Sequence, residues 1–88
     1  MINQNIADTL FYTVPVSLAE AQKIVDGYVE LIWVSEKTQL LVNDEGMWRG
    51  DLLPNPMATK MAINSGYMVH ESGIRGNAVV LTEGVLWE

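Results

Sequence analysis

Ser17-Leu18-Ala19-Glu20-Ala21-Gln22-Lys23-Ile24-Val25-Asp26-Gly27-Tyr28-Val29-Glu30-Leu31-Ile32-Trp33-Val34 changes its hydrophobic period partway along, and that change decides the fold. In the first half Leu18, Ala21, Ile24 and Val25 recur at helical spacing while Glu20, Gln22 and Lys23 point away, which predicts a helix with one apolar stripe against a sheet. Ser17 and Glu20 have the spacing of a capping box, in which each side chain accepts from the other residue's orphan backbone N–H, so the helix starts there. Gly27 is expected to end it, because glycine takes the left-handed conformation without a steric penalty. Beyond Gly27 the period is two. Val29, Leu31 and Trp33 make an apolar face, and Tyr28, Glu30, Ile32 and Val34 make a mixed one, so residues 28–34 read as a central strand buried on both sides. With the Trp33 ring buried, Trp33→Ala is expected to cost about 3–5 kcal/mol.

Downstream, Ser35-Glu36-Lys37 is a polar turn and residues 38–42 form a second strand, pairing with the first as a hairpin. Asn43-Asp44-Glu45-Gly46 is a further turn, with positive φ expected at Gly46, and Met47-Trp48 should return briefly along the sheet. Asn55 before Pro56 reads as an N-cap followed by proline at the first helical position. A second helix is expected over residues 56–64, burying Met57 and Met61 and, less squarely, Ala58 and Ala62, with Gly66 closing it. Residues 67–69 read as a short strand, Glu71-Ser72-Gly73 as a loop, and residues 77–82 as the last strand. The apolar tail Val85-Leu86-Trp87-Glu88 should dock on the domain or on another subunit. Upstream, residues 10–14 form a strand that stops at Pro15, where the ladder would lose a donor, and so belong at an edge. The class is α+β, a small antiparallel or mixed sheet with one or two helices packed on it, in one domain over residues 1–88.

An 88-residue chain with no Cys has neither disulfides nor thiolate metal sites to support a small core, and its one His lacks a second imidazole to share a transition metal. No metal or other cofactor is expected. With 49% hydrophobic residues and three Trp, self-association is the remaining source of buried area, which predicts a homo-oligomer. The net charge of -6 comes with five scattered bases and no basic patch, so nucleic acid is not the expected partner. The acids are equally scattered, which leaves a DNA mimic as an alternative reading only. The first residues carry no basic and apolar signal, and no run approaches a membrane span, so the expected location is cytoplasmic, without membrane association.

Candidate chemistry is sparse. Glu30, Asp44, Glu45 and Asp51 could gather around a hard cation, but their spacing is not that of a calcium loop, and a turn with two acids is ordinarily solvated. Glu30 in an apolar strand could act as a base if burial raised its pKa; the simpler reading places it facing solvent or accepting a backbone N–H from the loop around Asn55. His70, Glu71 and Ser72 include hydrolase residue types, but neighbours along a strand face opposite ways. Gly73-Ile74-Arg75-Gly76-Asn77 lacks the ending of a phosphate loop. Asn55 and Thr59, four residues apart, suit helix capping better than ligand contact. Trp48, Arg49, Asn55, Thr59 and Trp87 are the candidate interaction surface, because Trp and Arg are enriched where partners bind.

Four stretches occur here in a telling order: Ile24-Val25-Asp26-Gly27-Tyr28-Val29-Glu30, Leu41-Val42-Asn43-Asp44-Glu45-Gly46, Leu53-Pro54-Asn55-Pro56-Met57-Ala58-Thr59 and Ile74-Arg75-Gly76-Asn77-Ala78-Val79-Val80. Together they resemble a phage- and bacteria-borne domain family of unknown function. Its usual pattern is a helix ending in Gly-Gly-Tyr-Ile-Glu, an Asn-Glu-Glu-Gly turn, a Leu-Pro-x-Asn segment and a final Gly-x-hydrophobic strand. The resemblance covers roughly residues 18–82. Asp26 stands where the family commonly has its first Gly, Asp44 replaces a Glu, and Trp48-Arg49-Gly50-Asp51 is bulkier than usual. The resemblance implies a phage or prophage origin and a small α+β fold, and it brings no catalytic residue. The expected function is therefore that of a non-catalytic accessory protein binding a host or phage protein. The alternatives are a nucleic-acid module or mimic, and an enzyme whose site is built across a subunit interface.

Overall fold

The computed structural model describes residues 5–87. Its elements are β1 (Thr9–Tyr12), α1 (Leu18–Val25), β2 (Val29–Ser35), β3 (Thr38–Asn43), a 3-10 turn (Gly46–Trp48), α2 (Pro56–Asn64) and β4 (Ala78–Thr82). The four strands form one mixed sheet in the order β1-β4-β3-β2. β1 runs parallel to β4, and the β4–β3 and β3–β2 pairs are antiparallel. One helix covers each face. Ala58 and Ala62 of α2 pack with Ile32, Leu40, Val42 and Val80 on one side, and Ala21 of α1 packs with Val16, Leu41, Val79 and Leu81 on the other. The chain is thus a small α+β domain. No helix among the described residues is long and apolar enough to cross a membrane.

The helix ends follow from local chemistry. Ser17 Oγ accepts from the Glu20 N–H at 3.1 Å and Glu20 Oε1 accepts from the Ser17 N–H at 3.2 Å, which completes the capping box. At the other end of α1 the left-handed residue is Asp26 (φ 64°, ψ 49°), one position before the glycine expected there. Asp tolerates this conformation better than most residues. Gly27 follows at φ 154°, and a Cβ on it would lie 2.7 Å from Asn43 Nδ2. α2 begins at Asn55 with Pro56 in its first turn and closes with the Gly66 N–H on Ile63 O and the Tyr67 N–H on Ala62 O, the paired bonds of a Schellman motif.

Several expectations are corrected. β2 is an edge strand; the centre belongs to β3 and β4, which are buried on both faces. Trp33 is accordingly 53% exposed. In α2 the small residues face the sheet: Ala58 and Ala62 are fully buried and Met57 is exposed, because short side chains let the helix backbone approach the strands. Leu18 lies outside the buried stripe of α1. Met47-Trp48 belongs to the 3-10 turn, and residues 67–69 form no strand.

Gly46 is required by a close approach, since its φ is not positive. A Cβ there would sit 2.6 Å from the Arg75 carbonyl oxygen, a backbone atom that cannot turn aside. Gly46→Ala is expected to destabilise the fold by about 1–3 kcal/mol, the usual range for overpacking. Urea unfolding checks this; an unchanged midpoint would show that the turn relaxes freely.

Candidate functional site

Asn55 is 1% exposed, and every polar group of its side chain has a partner. Its Oδ1 accepts from Ala58 N–H at 3.0 Å and from Thr9 Oγ1 at 2.9 Å. Its Nδ2 donates to Gly76 O at 3.0 Å and to Asp8 O at 3.2 Å. Thr59 Oγ1 donates to Asn55 O at 2.8 Å and accepts from Ile74 N–H at 2.9 Å. Asn55 thus joins α2, β1 and the segment before β4, and its fully bonded, buried amide has nothing left to present to a partner, while the half-buried Thr59 ties α2 to Ile74. Asn43, also buried, does the same for the α1–β2 corner, donating to Val25 O and Asp26 O and accepting from Glu45 N–H.

Arg49 is engaged too. Its Nη2 and Nε grip Asp51 at 2.7 and 3.1 Å, its Nη1 donates to Asp26 O at 2.7 Å, and Nη2 reaches Asp26 Oδ2 at 3.2 Å. The hydrogen bond from Arg49 holds the Asp51 carboxyl below its ordinary range. The bidentate grip on Asp51 orients the guanidinium, and its two bonds to Asp26 fasten the loop after the 3-10 turn to the left-handed end of α1. Asp51 is thereby drawn toward Arg49 and away from the group of four acids the sequence suggested, and no cluster of three metal-capable carboxylates and imidazoles occurs among the described residues.

Glu30 is half-buried on the α2 face, where the Tyr67 hydroxyl donates to Oε2. It bonds neither to solvent alone nor to the Asn55 loop. Burial, and then the nearby charge of Asp44, push its pKa up from an ordinary 4.5. A raised folded-state pKa means that the contribution of Glu30 to stability is fully present below its unfolded value and is lost as pH rises through the folded one. Glu30→Gln keeps an acceptor for Tyr67 without the charge. The melting temperature of this variant relative to the parent should therefore climb between pH 4 and pH 7; a difference flat in pH would remove Glu30 as the cause.

His70 and Ser72 meet because the chain turns here. Nδ1 lies 2.8 Å from Ser72 Oγ and accepts the Ser72 N–H at 3.1 Å, and Ser72 Oγ donates to Met47 O at 3.0 Å. The Trp48 ring leans on the imidazole at 4.6 Å between centroids. The pair is exposed, and the hydroxyl has a carbonyl to donate to, so the geometry holds a turn in shape and does not activate a nucleophile.

Gln39 is the functional-looking residue that sequence reasoning misses. It is fully buried in β3, and its amide pairs with the Trp87 backbone through Nε2 to O at 2.6 Å and N–H to Oε1 at 2.7 Å. Trp87 Nε1 also donates to Val16 O at 2.9 Å. The tail thus docks on the domain itself, with Trp87 partly covered; Glu88 lies outside the described residues. A polar residue in an otherwise apolar strand is the one signal that could have pointed to Gln39.

Among the charged residues of the surface stand several large apolar side chains. Trp48 is 68% exposed, Met68 90% and Tyr28 71%, with Phe11, Val14, Ile63 and Met57 also outward. Fold and side-chain geometry together define a small α+β domain whose buried polar groups close the structure, and whose free surface carries large hydrophobic residues. No protein-family model matches the chain, and neither a curated protein nor a solved structure matches it.

Proposed function

We propose that the chain is a small accessory protein of phage or prophage type that acts by binding another protein, without chemistry of its own, and that it works in the host cytoplasm as a homo-oligomer. The observation that carries this reading is the exposed Trp48 ring, which leans on the exposed His70 imidazole, with Met68, 90% exposed, two residues before His70 in the chain. Large aromatic and Met side chains gain most from desolvation at an interface and are enriched there. The polar residues that might have served a ligand are tied into the fold, as Asn55, Thr59 and Arg49 are. Of the two arginines, Arg75 likewise donates to Leu52 O, which leaves no arginine cluster for a phosphate backbone.

Affinity capture of the tagged chain from phage-infected cells tests the proposal. One host or phage protein should co-purify, and Trp48→Ala should weaken its binding about thirtyfold or more, the effect of losing a hot-spot tryptophan. Equal recovery with the parent and with Trp48→Ala, or a nucleic-acid shift that weakens steeply with salt, would overturn it.

A further inference from the structure

The two edges of the sheet are unequally protected. β1 offers four residues and runs into Pro15 soon after, so little of it can accept another strand. β2 is seven residues long, contains neither Lys nor Pro, and has Glu30 as its one charge. That carboxylate is turned onto the α2 face and held by Tyr67, so it does not guard the edge. A register irregularity between Trp33 and Ser35 limits regular pairing to the part before it.

The phase of the ladder shows which groups are open. The Asp44 N–H donates to Tyr28 O at 2.9 Å, so with the Glu30↔Val42 and Ile32↔Leu40 register the even-numbered residues of β2 exchange bonds with β3. The N–H and C=O of Val29, Leu31 and Trp33 then point to the other side. No other described segment bonds to them.

We infer that this edge pairs antiparallel with the same edge of a second copy of the chain, making one continuous sheet about a two-fold axis. This deepens the oligomer part of the proposed function and rests on it. An axis through Leu31 sets Leu31 opposite its counterpart and Val29 opposite Trp33, which matches the residues whose backbone groups are open. Glu30 then faces Ile32 of the other copy, so the pairing brings no two carboxylates opposite each other although each chain carries a net charge of -6. Val29, Leu31 and Trp33 continue the apolar stripe on the α1 face across the junction, covering the half-exposed indole of Trp33. A second copy is the occupant that this self-complementary register favours; an unrelated strand would need its own apolar stripe and an uncharged edge.

Sedimentation of the full chain should give twice the 9.8 kDa chain mass. Trp33→Lys puts a charge on the edge in both copies and should raise the dissociation constant about tenfold or more. Phe11→Lys, on β1, should leave it unchanged. The chain has no Cys, so Leu31→Cys should cross-link to a covalent dimer under mild oxidation, whereas Trp48→Cys should not. The cross-link keeps the test decisive if Trp33→Lys fails to fold. A parent protein that sediments as one chain, a dimer broken by Phe11→Lys and not by Trp33→Lys, or a Leu31→Cys variant that stays uncross-linked would each overturn the inference. A monomeric parent would also overturn the oligomer part of the proposed function, whereas a dimer that Leu31→Cys leaves uncross-linked would overturn only this edge; capture of a partner through Trp48 depends on neither outcome.

Discussion

Asn55→Ala is expected to destabilise the protein by about 2–4 kcal/mol, a large share of the roughly 5–15 kcal/mol that holds a domain together. The change removes the acceptor that caps α2 at Ala58, worth about 0.5–2 kcal/mol at helix N-termini. It also strands the buried Gly76 carbonyl, at a cost of about 1–3 kcal/mol when left without a donor and without water, and takes away one of two donors to the Asp8 carbonyl, which keeps the Ala78 N–H. These losses fall on one network and do not simply add. Asn55→Asp separates the parts: it keeps the acceptor for Ala58 and Thr9 but loses both donors and sets a carboxylate against two carbonyls. It should be at least as damaging as alanine at pH 7 and recover in part on acidification. Urea unfolding of both variants checks this, and a loss below about 1 kcal/mol for alanine would mean that the cap alone matters.

Leu40→Ala should cost a comparable amount, about 3–5 kcal/mol, because the side chain is fully buried between β4 and α2 and its neighbours Val42, Ala58 and Val80 are held by the sheet and cannot close the cavity. Trp33→Ala, by contrast, should cost only about 1–2 kcal/mol in the monomer, since half the ring is already in water. Thermal or chemical melts of the two variants under the same conditions make the comparison. A larger loss at Trp33 than at Leu40 would reverse the assignment of β2 to the edge, unless it scales with protein concentration, as coupling to the dimer requires.

The features that could be read directly from the chain are those whose partners lie within a few residues. Ser17 and Glu20 cap each other across three positions, Asn55 reaches Ala58 across the same distance, and Gly66 closes α2 against Ile63. The hairpin of β2 and β3 follows from two apolar runs about a short polar turn. Faces were harder to assign. In α2 apolar residues surround the helix, so periodicity could not tell that Ala58 and Ala62 lie against the sheet while Met57 and Ile63 remain outside. Similarly, β2 has one apolar and one mixed face and reads as central, but β4, arriving from the far end of the chain, takes that place beside β3.

The candidate surface divides along the same line. Trp48 is exposed, whereas Asn55 and Thr59 are bonded to Asp8, Gly76 and Ile74, and Arg49 is held at the surface by Asp26 and Asp51, partners that no local pattern connects to them all. Gln39 and Trp87 are 48 residues apart and meet because β3 lies beneath the returning tail. Caps, turns and the α+β class are set by short-range sterics and hydrogen bonding, which any few residues carry with them. Strand order, the choice of buried face and the use made of each polar side chain depend on which distant backbone groups need a partner once water is excluded, and that is a property of the assembled core.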